Sequence, residues 1–312
     1  MSEQERHQDP VVLIALDGSP AAATAVPAAC TIAAQLGARV EALHVRKNGT
    51  NSFEAKLELS APGTTVRYAT GDPVEEIVRA SQAPEVVLVV LATHGRAIRR
   101  GRALAGIPRR VAAGTNQPVL LIRPEATGNG AECPPLRRLL FPIDGTPTTA
   151  TALAPAAELA ARLGAEIDVL FVVHPQQAVP DERGTMTTPY YVDQPQYEWP
   201  AWRARVAKWM QCQCENLPRE TVIHAHIASA QSRDDIGNAI AQFAIERNDD
   251  GIILVRRSQM EHGRAPILRA VFDRAPCPVL LVPGPSRQQR APAATADKDP
   301  TSVAGLIGSA PA

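Results

Sequence analysis

The chain contains one stretch of sequence twice. Residues 12–45 read VLIALDGSPAAATAVPAACTIAAQLGARVEALHV, and residues 139–172 read LLFPIDGTPTTATALAPAAELAARLGAEIDVLFV. The two segments align without a gap at an offset of 127 and share 15 of 34 positions. A second matching pair, NQPVLLI at 116–122 and PCPVLLV at 276–282, lies at an offset of 160. The sequence therefore predicts two copies of one folding unit, the second with an insertion.

Each copy begins with an apolar run that is followed by Asp-Gly, a hydroxyl residue and proline. Ser19 and Thr146 stand where an N-cap is wanted, and a proline follows each at the first helical position. Alanine-rich segments come next and end before Gly37 and Gly164, at the position that favours a left-handed residue. Both copies therefore predict a strand followed by a well-defined helix.

Continuous apolar strands alternate with amphipathic helices along both copies. This alternation predicts parallel sheets covered on both faces, that is, an α/β fold of two doubly wound domains in tandem. Pro27 and Pro155 fall inside the predicted first helices and are expected to kink them. The predicted organisation is a first domain over 1–124, a linker over 125–136, a second domain over 137–284 and a disordered tail over 285–312.

Composition limits the classes of partner. Lys and Arg number 32, as do Asp and Glu, so no global field attracts nucleic acid or an anionic membrane. The longest apolar run, at 86–92, is far shorter than the ~20 residues that span a bilayer. The start MSEQERHQDP lacks the apolar core of a secretory signal, and five scattered cysteines indicate reduced thiols. A cytoplasmic location is expected.

Several short motifs resemble the universal stress protein family. They are ALDGSP, GDPVEEI and THGR in the first copy, and PIDGTP and APCPVLLV in the second. The resemblance covers residues 10–124 and 137–283. It implies flavodoxin-like domains with five-stranded parallel sheets that pair through their last strands, and two such domains in tandem are a known arrangement. Some members of the family bind ATP and others do not.

The loop that binds phosphate in the ATP-binding members is altered in the first copy. Those members carry a glycine, two residues, a glycine, nine residues, and a glycine with serine or threonine. Here the spacing is kept, but the positions read Ala92, Gly95, Ala105 and Gly106. Alanine brings a methyl group towards the phosphates and is strained where φ must be positive. The resemblance thus implies impaired but not abolished binding of ATP or another adenine nucleotide.

The loop of the second copy departs further from the family pattern. Val255 and Ser258 take the first two glycine positions and Ala265-Pro266 the last pair, so we expect no nucleotide there. The first candidate nucleotide site comprises Asp17, Gly18, Ser19, Val45, Ala92, Thr93, His94, Gly95, Arg96, Ala105 and Gly106. The degenerate second site comprises Asp144, Gly145, Thr146 and Ser258. Alternatively, Asp17 and Asp144 only cap the helices that follow them.

Six arginines crowd the loop and helix of the first copy: Arg96, Arg99, Arg100, Arg102, Arg109 and Arg110. Guanidinium groups bind phosphate in bidentate fashion, so they could replace lost backbone donors. The other interpretations are a solvated helix face, or a contact with nucleic acid or protein.

Four residues that could bind zinc occur close together, namely Cys212, Cys214, His224 and His226. The two histidines share one face of a strand, whereas helical residues two apart diverge by about 200°, so the cysteines do not converge. No metal site is therefore expected. No hydrolytic motif is present either, so catalysis is limited to slow ATP hydrolysis at most.

The insertion at 174–218 contains all three tryptophans. Trp199, Trp202, Val206 and Trp209 recur at helical spacing and predict an amphipathic helix over 200–216. This stripe either packs on its own sheet or forms an interaction surface.

The final strands suggest how the two domains meet. Segments 119–122 and 279–282 are apolar edges that would pair without control if exposed, so we expect them to pair within the chain. A homodimer would then use other surfaces, and the client protein is unknown. The predicted role is a regulator of the stress response that senses a ligand or binds proteins. The alternatives are an ATP-binding protein with slow hydrolysis and a ligand-free scaffold.

Overall fold

The computed structural model describes residues 9–46, 63–93, 106–124, 133–173, 204–210, 212–213, 217, 221–230, 235–256 and 265–284. The strands are β1 Val11–Ala15, β2 Arg39–Arg46, β3 Thr65–Thr70, β4 Val86–Ala92, β5 Val119–Ile122, β6 Arg138–Ile143, β7 Glu166–Val173, β8 Ile223–Ser229, β9 Gly251–Arg256 and β10 Val279–Pro283. The helices are α1 Pro20–Ala23, α2 Val26–Leu36, α3 Pro73–Ser81, α4 Gly106–Gly114, α5 Pro147–Thr151, α6 Leu153–Leu163, α7 Ile236–Arg247 and α8 Ala265–Arg274.

All described strands belong to one sheet. Their order is β3-β2-β1-β4-β5-β10-β9-β6-β7-β8, so each copy contributes five strands in the same relative order. Neighbouring strands within a copy are parallel. The predicted α/β class, with two doubly wound domains in tandem, is confirmed. The boundaries at 124, 136 and 284 remain predictions.

The two domains join where β5 and β10 pair in antiparallel fashion. Leu120 lies opposite Leu280, flanked by the pairs Leu121–Val279 and Val119–Leu281. All of these side chains are buried. The pairing satisfies the backbone groups of two apolar edge strands within one chain, as expected for segments 119–122 and 279–282.

Helix starts and stops follow the caps in the sequence. The Ser19 side chain accepts a hydrogen bond from the Ala22 amide at 3.1 Å, and Asp72 caps α3 in the same way. Gly37 and Gly164 end α2 and α6 with φ of 59° and 66°. Glycine pays no Cβ penalty in this left-handed conformation, which explains why both helices stop there.

The predicted kinks at the two helical prolines are wrong. Instead of one bent helix, each copy forms a short helix and then a second one, with Pro27 in the first turn of α2 and Pro155 in the first turn of α6. The first amides of a helix have no intrahelical acceptor, so a proline there removes no hydrogen bond. Starting a new helix is therefore cheaper than bending an old one.

Two apolar clusters cover the two faces of the sheet. One packs α2 and α6 on alternate strand residues such as Ile14 and Phe141. The other packs α3, α4, α7 and α8 on the intervening residues, such as Leu13 and Leu140. Each cluster includes residues from both copies, so the core is continuous across the β5–β10 pairing.

Polar contacts reinforce the junction between the domains. The side-chain nitrogen of Gln35 donates to the Leu136 and Leu163 carbonyls, both at 3.0 Å. Its side-chain oxygen accepts from the backbone amide of Leu136 at 2.9 Å. On the opposite face Arg123 donates to the Phe272 carbonyl of α8 at 2.7 Å. A fixed arrangement of the domains follows from these directional bonds together with the shared core.

An arginine of the second domain binds a helix of the first domain, just as Arg123 of the first domain binds a helix of the second. Arg256, at the end of β9, donates to the Ala112 carbonyl near the end of α4. Arg123 in turn donates to carbonyls at the end of α8. Cations favour the carbonyl end of a helix, so each domain stabilises the last helix of the other.

The aromatic insertion is helical over 204–210 and 212–213. Val206 and Met210 are buried in the first apolar cluster, and Trp209 packs against it. This part of the predicted helix therefore packs on its own sheet. Trp199 and Trp202 lie outside the described residues.

In the described part of the chain, no helix combines the length and apolarity needed to span a bilayer. Cys30, Cys133, Cys212 and Cys277 are free thiols.

Introducing Leu120→Asp together with Leu280→Asp should separate the domains. Two unpaired carboxylates would face each other in a dry part of the sheet, at a cost of several kcal/mol. We expect calorimetry to resolve two unfolding transitions and limited proteolysis to cut faster between residues 125 and 136.

The matched control is Leu120→Met with Leu280→Met, which keeps volume and polarity and should behave like the parent chain. A single transition and unchanged protease resistance in the aspartate variant would mean that the domains are held together elsewhere.

Candidate functional site

The first candidate site lies at the carboxyl ends of β1 and β4. These two neighbouring strands lead to connections that run in opposite directions along the sheet, since β2 and β3 lie on one side and β5 on the other. Open α/β sheets bind ligands in the crevice at such a point. The topology therefore brings Asp17, which follows β1, near Ala92 at the end of β4.

Asp17, Gly18 and Ser19 form a tight turn between β1 and α1. Gly18 has φ of 80°, which only glycine adopts at low cost. The Asp17 Oδ1 atom accepts a hydrogen bond from the Ser19 amide at 2.9 Å, and the Ser19 hydroxyl accepts from Ala22. Asp17 and Gly18 remain exposed, so the turn presents a carboxylate to solvent at the crevice.

The neighbouring strands supply an apolar wall. Val45 on β2 is half-buried, and Ala92 at the end of β4 is 8% exposed. Thr93 is also buried, and both its amide and its hydroxyl donate to the Ile122 carbonyl, at 2.8 and 3.3 Å. The Thr93 hydroxyl is therefore hydrogen-bonded to the backbone of β5.

Gly106 is the last residue of the candidate loop that starts at Ala92, and it begins helix α4. Its φ is +67°, and a Cβ placed on it would meet nothing within 4 Å. Space therefore allows a side chain here, but the backbone disfavours one. The other residues of the candidate loop, His94, Gly95, Arg96 and Ala105, lie outside the described residues, as do Arg99, Arg100 and Arg102.

Of the six arginines, the structure describes two. Arg109 and Arg110 lie on exposed positions of α4. The Arg110 guanidinium lies 3.6 Å from the Asp72 carboxylate, which caps α3. Both partners are largely exposed, so this pair adds little to stability, although it directs Arg110 towards α3.

The equivalent turn of the second domain is closed by hydrogen bonds. The Asp144 Oδ1 atom accepts from the Thr146 amide at 3.1 Å and from the hydroxyls of Thr146 and Thr149, each at 2.6 Å. Thr146 and Thr149 are only 2% and 5% exposed, and Gly145 is buried with φ of 75°. Asp144 is thus held by three donors of its own turn.

Thr149 explains why the two turns differ. The corresponding residue of the first copy is Ala22, which has no hydroxyl, so Asp17 lacks the donor that Asp144 receives from Thr149. Thr149 is not among the site residues predicted from the sequence. A residue-by-residue comparison of the two copies would have identified it.

The strands that lead into the second turn also pair over a shorter length. β1 pairs with β4 along its whole length, whereas β6 pairs with β9 only at Leu139 and Leu140. Pro142 stands where the first copy has Ala15, and it has no amide to donate to either neighbouring strand. Val255 is half-buried at the end of β9, and Ser258 lies outside the described residues.

The described residues include no cluster of histidine, cysteine and acidic side chains that could hold a metal ion. His224 and His226 share one face of β8, with their ring centres 6.5 Å apart, and each lies next to a carboxylate of β7. Cys212 is exposed, and Cys214 lies outside the described residues.

Comparison with known proteins identifies the relatives of this chain. A model of the universal stress protein family matches residues 50–123 and 135–283, which contain β3 to β10. A universal stress protein from Archaeoglobus fulgidus DSM 4304 is 16% identical, with 89% of this chain and 97% of that chain covered and a TM-score of 0.54. A functionally unknown protein from Pseudomonas aeruginosa PAO1 is 14% identical, with 88% and 93% covered and a TM-score of 0.57.

At these identities the two solved structures show a common fold. A search of curated proteins finds no match.

Restoring the family's hydroxyl by Gly106→Ser should destabilise the chain. A serine in the left-handed conformation costs on the order of 1 kcal/mol, and its Cβ would meet no atom of the neighbouring described elements within 4 Å that could offset this cost. We expect chemical denaturation to show this loss, and Gly106→Asn to show less of it, since asparagine tolerates this conformation better. Equal stability of all three chains would contradict the assigned backbone conformation.

Proposed function

The chain belongs to the universal stress protein family, and we propose that its first domain binds an adenine nucleotide weakly while its second domain has lost this capacity. The protein would act in the stress response by sensing that ligand, with the change passed on through protein contacts. The contrast between Asp17 and Asp144 carries the proposal. One carboxylate faces solvent at the crevice between β1 and β4, and the other is held by its own turn.

Each part of the first site has a physical role in the proposed binding. The exposed Asp17 carboxylate would accept hydrogen bonds from sugar hydroxyls, and Val45 would lie near the base. The amides at the start of α4 would face the phosphates, where the helix dipole favours negative charge. The methyl group of Ala92 would keep those phosphates from approaching the backbone closely, so the affinity would be low.

The second domain would be a structural partner. Three donors bind Asp144 Oδ1, and β6 pairs with β9 only at Leu139 and Leu140. A nucleotide hydroxyl that used this oxygen would have to displace the Thr146 or Thr149 hydroxyl from it. The cost of leaving a buried hydroxyl unpaired opposes binding.

A ligand-free scaffold is the second candidate function. It is favoured by the alanine at position 92 and the glycine at position 106, which remove a close approach and a hydroxyl that the ATP-binding members use. A scaffold would differ from the proposed nucleotide-binding protein in that the intact chain would have no affinity for nucleotide.

The test compares two equivalent substitutions in the full chain, Asp17→Asn and Asp144→Asn. Asparagine keeps the oxygen that accepts from Ser19 or Thr146 and removes only the charge. A hydrogen bond to a charged group contributes about 1.5–3 kcal/mol, so Asp17→Asn should weaken ATP or ADP binding by about tenfold or more. Asp144→Asn should leave the affinity unchanged.

Calorimetric titration with ATP, ADP and AMP measures both variants beside the parent chain. Equal losses from the two substitutions would contradict the assignment of binding to the first domain. No heat from the parent chain at millimolar nucleotide would favour the scaffold.

A further inference from the structure

Two carboxyl groups are buried at the amino end of the second domain's sheet, away from both nucleotide turns. Asp168 interrupts the apolar run 167–173 of strand β7 and is fully buried. Asp249 lies in the turn between α7 and β9 and is 5% exposed. Its amide donates to the Ala244 carbonyl at 2.9 Å, which anchors the turn to the end of α7.

Asp168 has the partners of an ionised carboxylate. Its Oδ1 atom lies 2.9 Å from His226 Nε2, and its Oδ2 atom lies 3.3 Å from Arg247 Nε. Burial by itself would raise the pKa of Asp168, but the hydrogen bonds to His226 and Arg247 outweigh it and leave the pKa below its usual value. Asp168 therefore carries the negative charge of the pair.

Asp249 has the opposite surroundings. Both of its carboxyl oxygens are buried, and neither meets a donor among the described residues. The Asp168 carboxylate is near enough to raise the pKa of Asp249, through its charge and as a hydrogen-bond partner for a protonated Asp249. Two carboxylates are both acceptors, so a hydrogen bond between them requires a proton on one of them. Since donors already satisfy Asp168, the proton belongs on Asp249.

We propose that Asp168 and Asp249 form a proton-binding site in which Asp249 keeps a proton in mildly acidic solution, donates it to Asp168, and releases it around neutrality. His226 connects this site with solvent, because its side chain is 24% exposed and its ring bonds Asp168. The ligand of the site is the proton itself. The site makes the second domain, whose nucleotide turn is closed, responsive to pH.

Burial and the charged neighbours together set the pKa of Asp249. Burial raises the pKa of Asp249 to about 7, with a further contribution from the charge of Asp168, and the charges of Arg138 and Arg247 oppose this rise only in part. The Arg138 guanidinium has other partners as well: it donates to the Arg247 carbonyl at 3.0 Å and lies 3.7 Å from the Glu166 carboxylate.

The remaining charged neighbours are occupied elsewhere. His224 of β8 lies 3.5 Å from Glu166 of β7, and the Asp250 carboxylate accepts from the amides of Arg137 and Arg138. Cys277, before β10, is a buried thiol whose pKa is raised to about 12 by burial first and then by Asp249 and Asp250, so it stays neutral. None of these groups neutralises a charge on Asp249.

Loss of the proton would weaken the turn that leads into β9. Two buried negative charges would then face each other, and β9 is the strand that pairs with β10 beside the domain junction. Between the ordinary pKa of 3.8 and about 7, the folded chain holds a proton that the unfolded chain has released. Stability from this group is therefore full at low pH and falls as pH rises towards 7.

The first test is equilibrium unfolding of the full chain from pH 5 to pH 8.5, in the parent and in Asp249→Asn. Relative to the variant, the parent's unfolding equilibrium constant should rise about tenfold per pH unit between pH 5 and 7 and then level off. Glu246→Gln, which removes an exposed carboxylate from the last turn of α7, should track the parent. Parallel curves for parent and Asp249→Asn would overturn the proposal.

The second test observes the proton directly by carbon NMR of labelled aspartate carboxyl groups. One resonance should titrate with a midpoint near pH 7 and should be missing in Asp249→Asn. In Asp168→Asn the midpoint should move to lower pH, because the charge that retains the proton is gone. A parent chain in which every aspartate has titrated below pH 6 would refute the shared proton.

Discussion

The antiparallel pairing of β5 with β10 is the interaction on which the rest of the structure depends. Each copy ends in an apolar strand that cannot remain an exposed edge without inviting uncontrolled association. Pairing Leu120 with Leu280 satisfies both edges inside one chain and joins two five-stranded sheets into one. The apolar clusters then extend across the junction, and the hydrogen bonds made by Gln35, Arg123 and Arg256 cross it as well.

With the domains held together in this way, their two turns could diverge. The first keeps an exposed carboxylate at the strand ends, whereas in the second the carboxylate accepts hydrogen bonds from two hydroxyls, and the strand before it pairs with β9 only at Leu139 and Leu140. The second domain instead contains a buried pair of carboxyl groups at the other end of its sheet. A duplicated fold thus separates a proposed nucleotide site from a proposed proton site, and one continuous sheet connects them.

Much of the fold could be predicted from the sequence, because duplication, caps and apolar strand patterns are local signals. Ser19, Thr146, Gly37 and Gly164 end or begin helices as expected. The prolines do not produce the kinks that the sequence predicts, since the cost of a proline depends on whether a new helix starts beside it. The partners of Asp168 could not be predicted, because His226, Arg247 and Asp249 converge only in three dimensions, although an acidic residue in an apolar strand was a visible sign.

Hydrogen exchange tests the central claim most directly. If β5 and β10 form the middle of one sheet, their amides should be among the slowest to exchange in the chain, and those of Leu120 and Leu280 should share one opening free energy. Fast exchange at either strand, or clearly different opening free energies for the two, would contradict a sheet that is continuous across the domains.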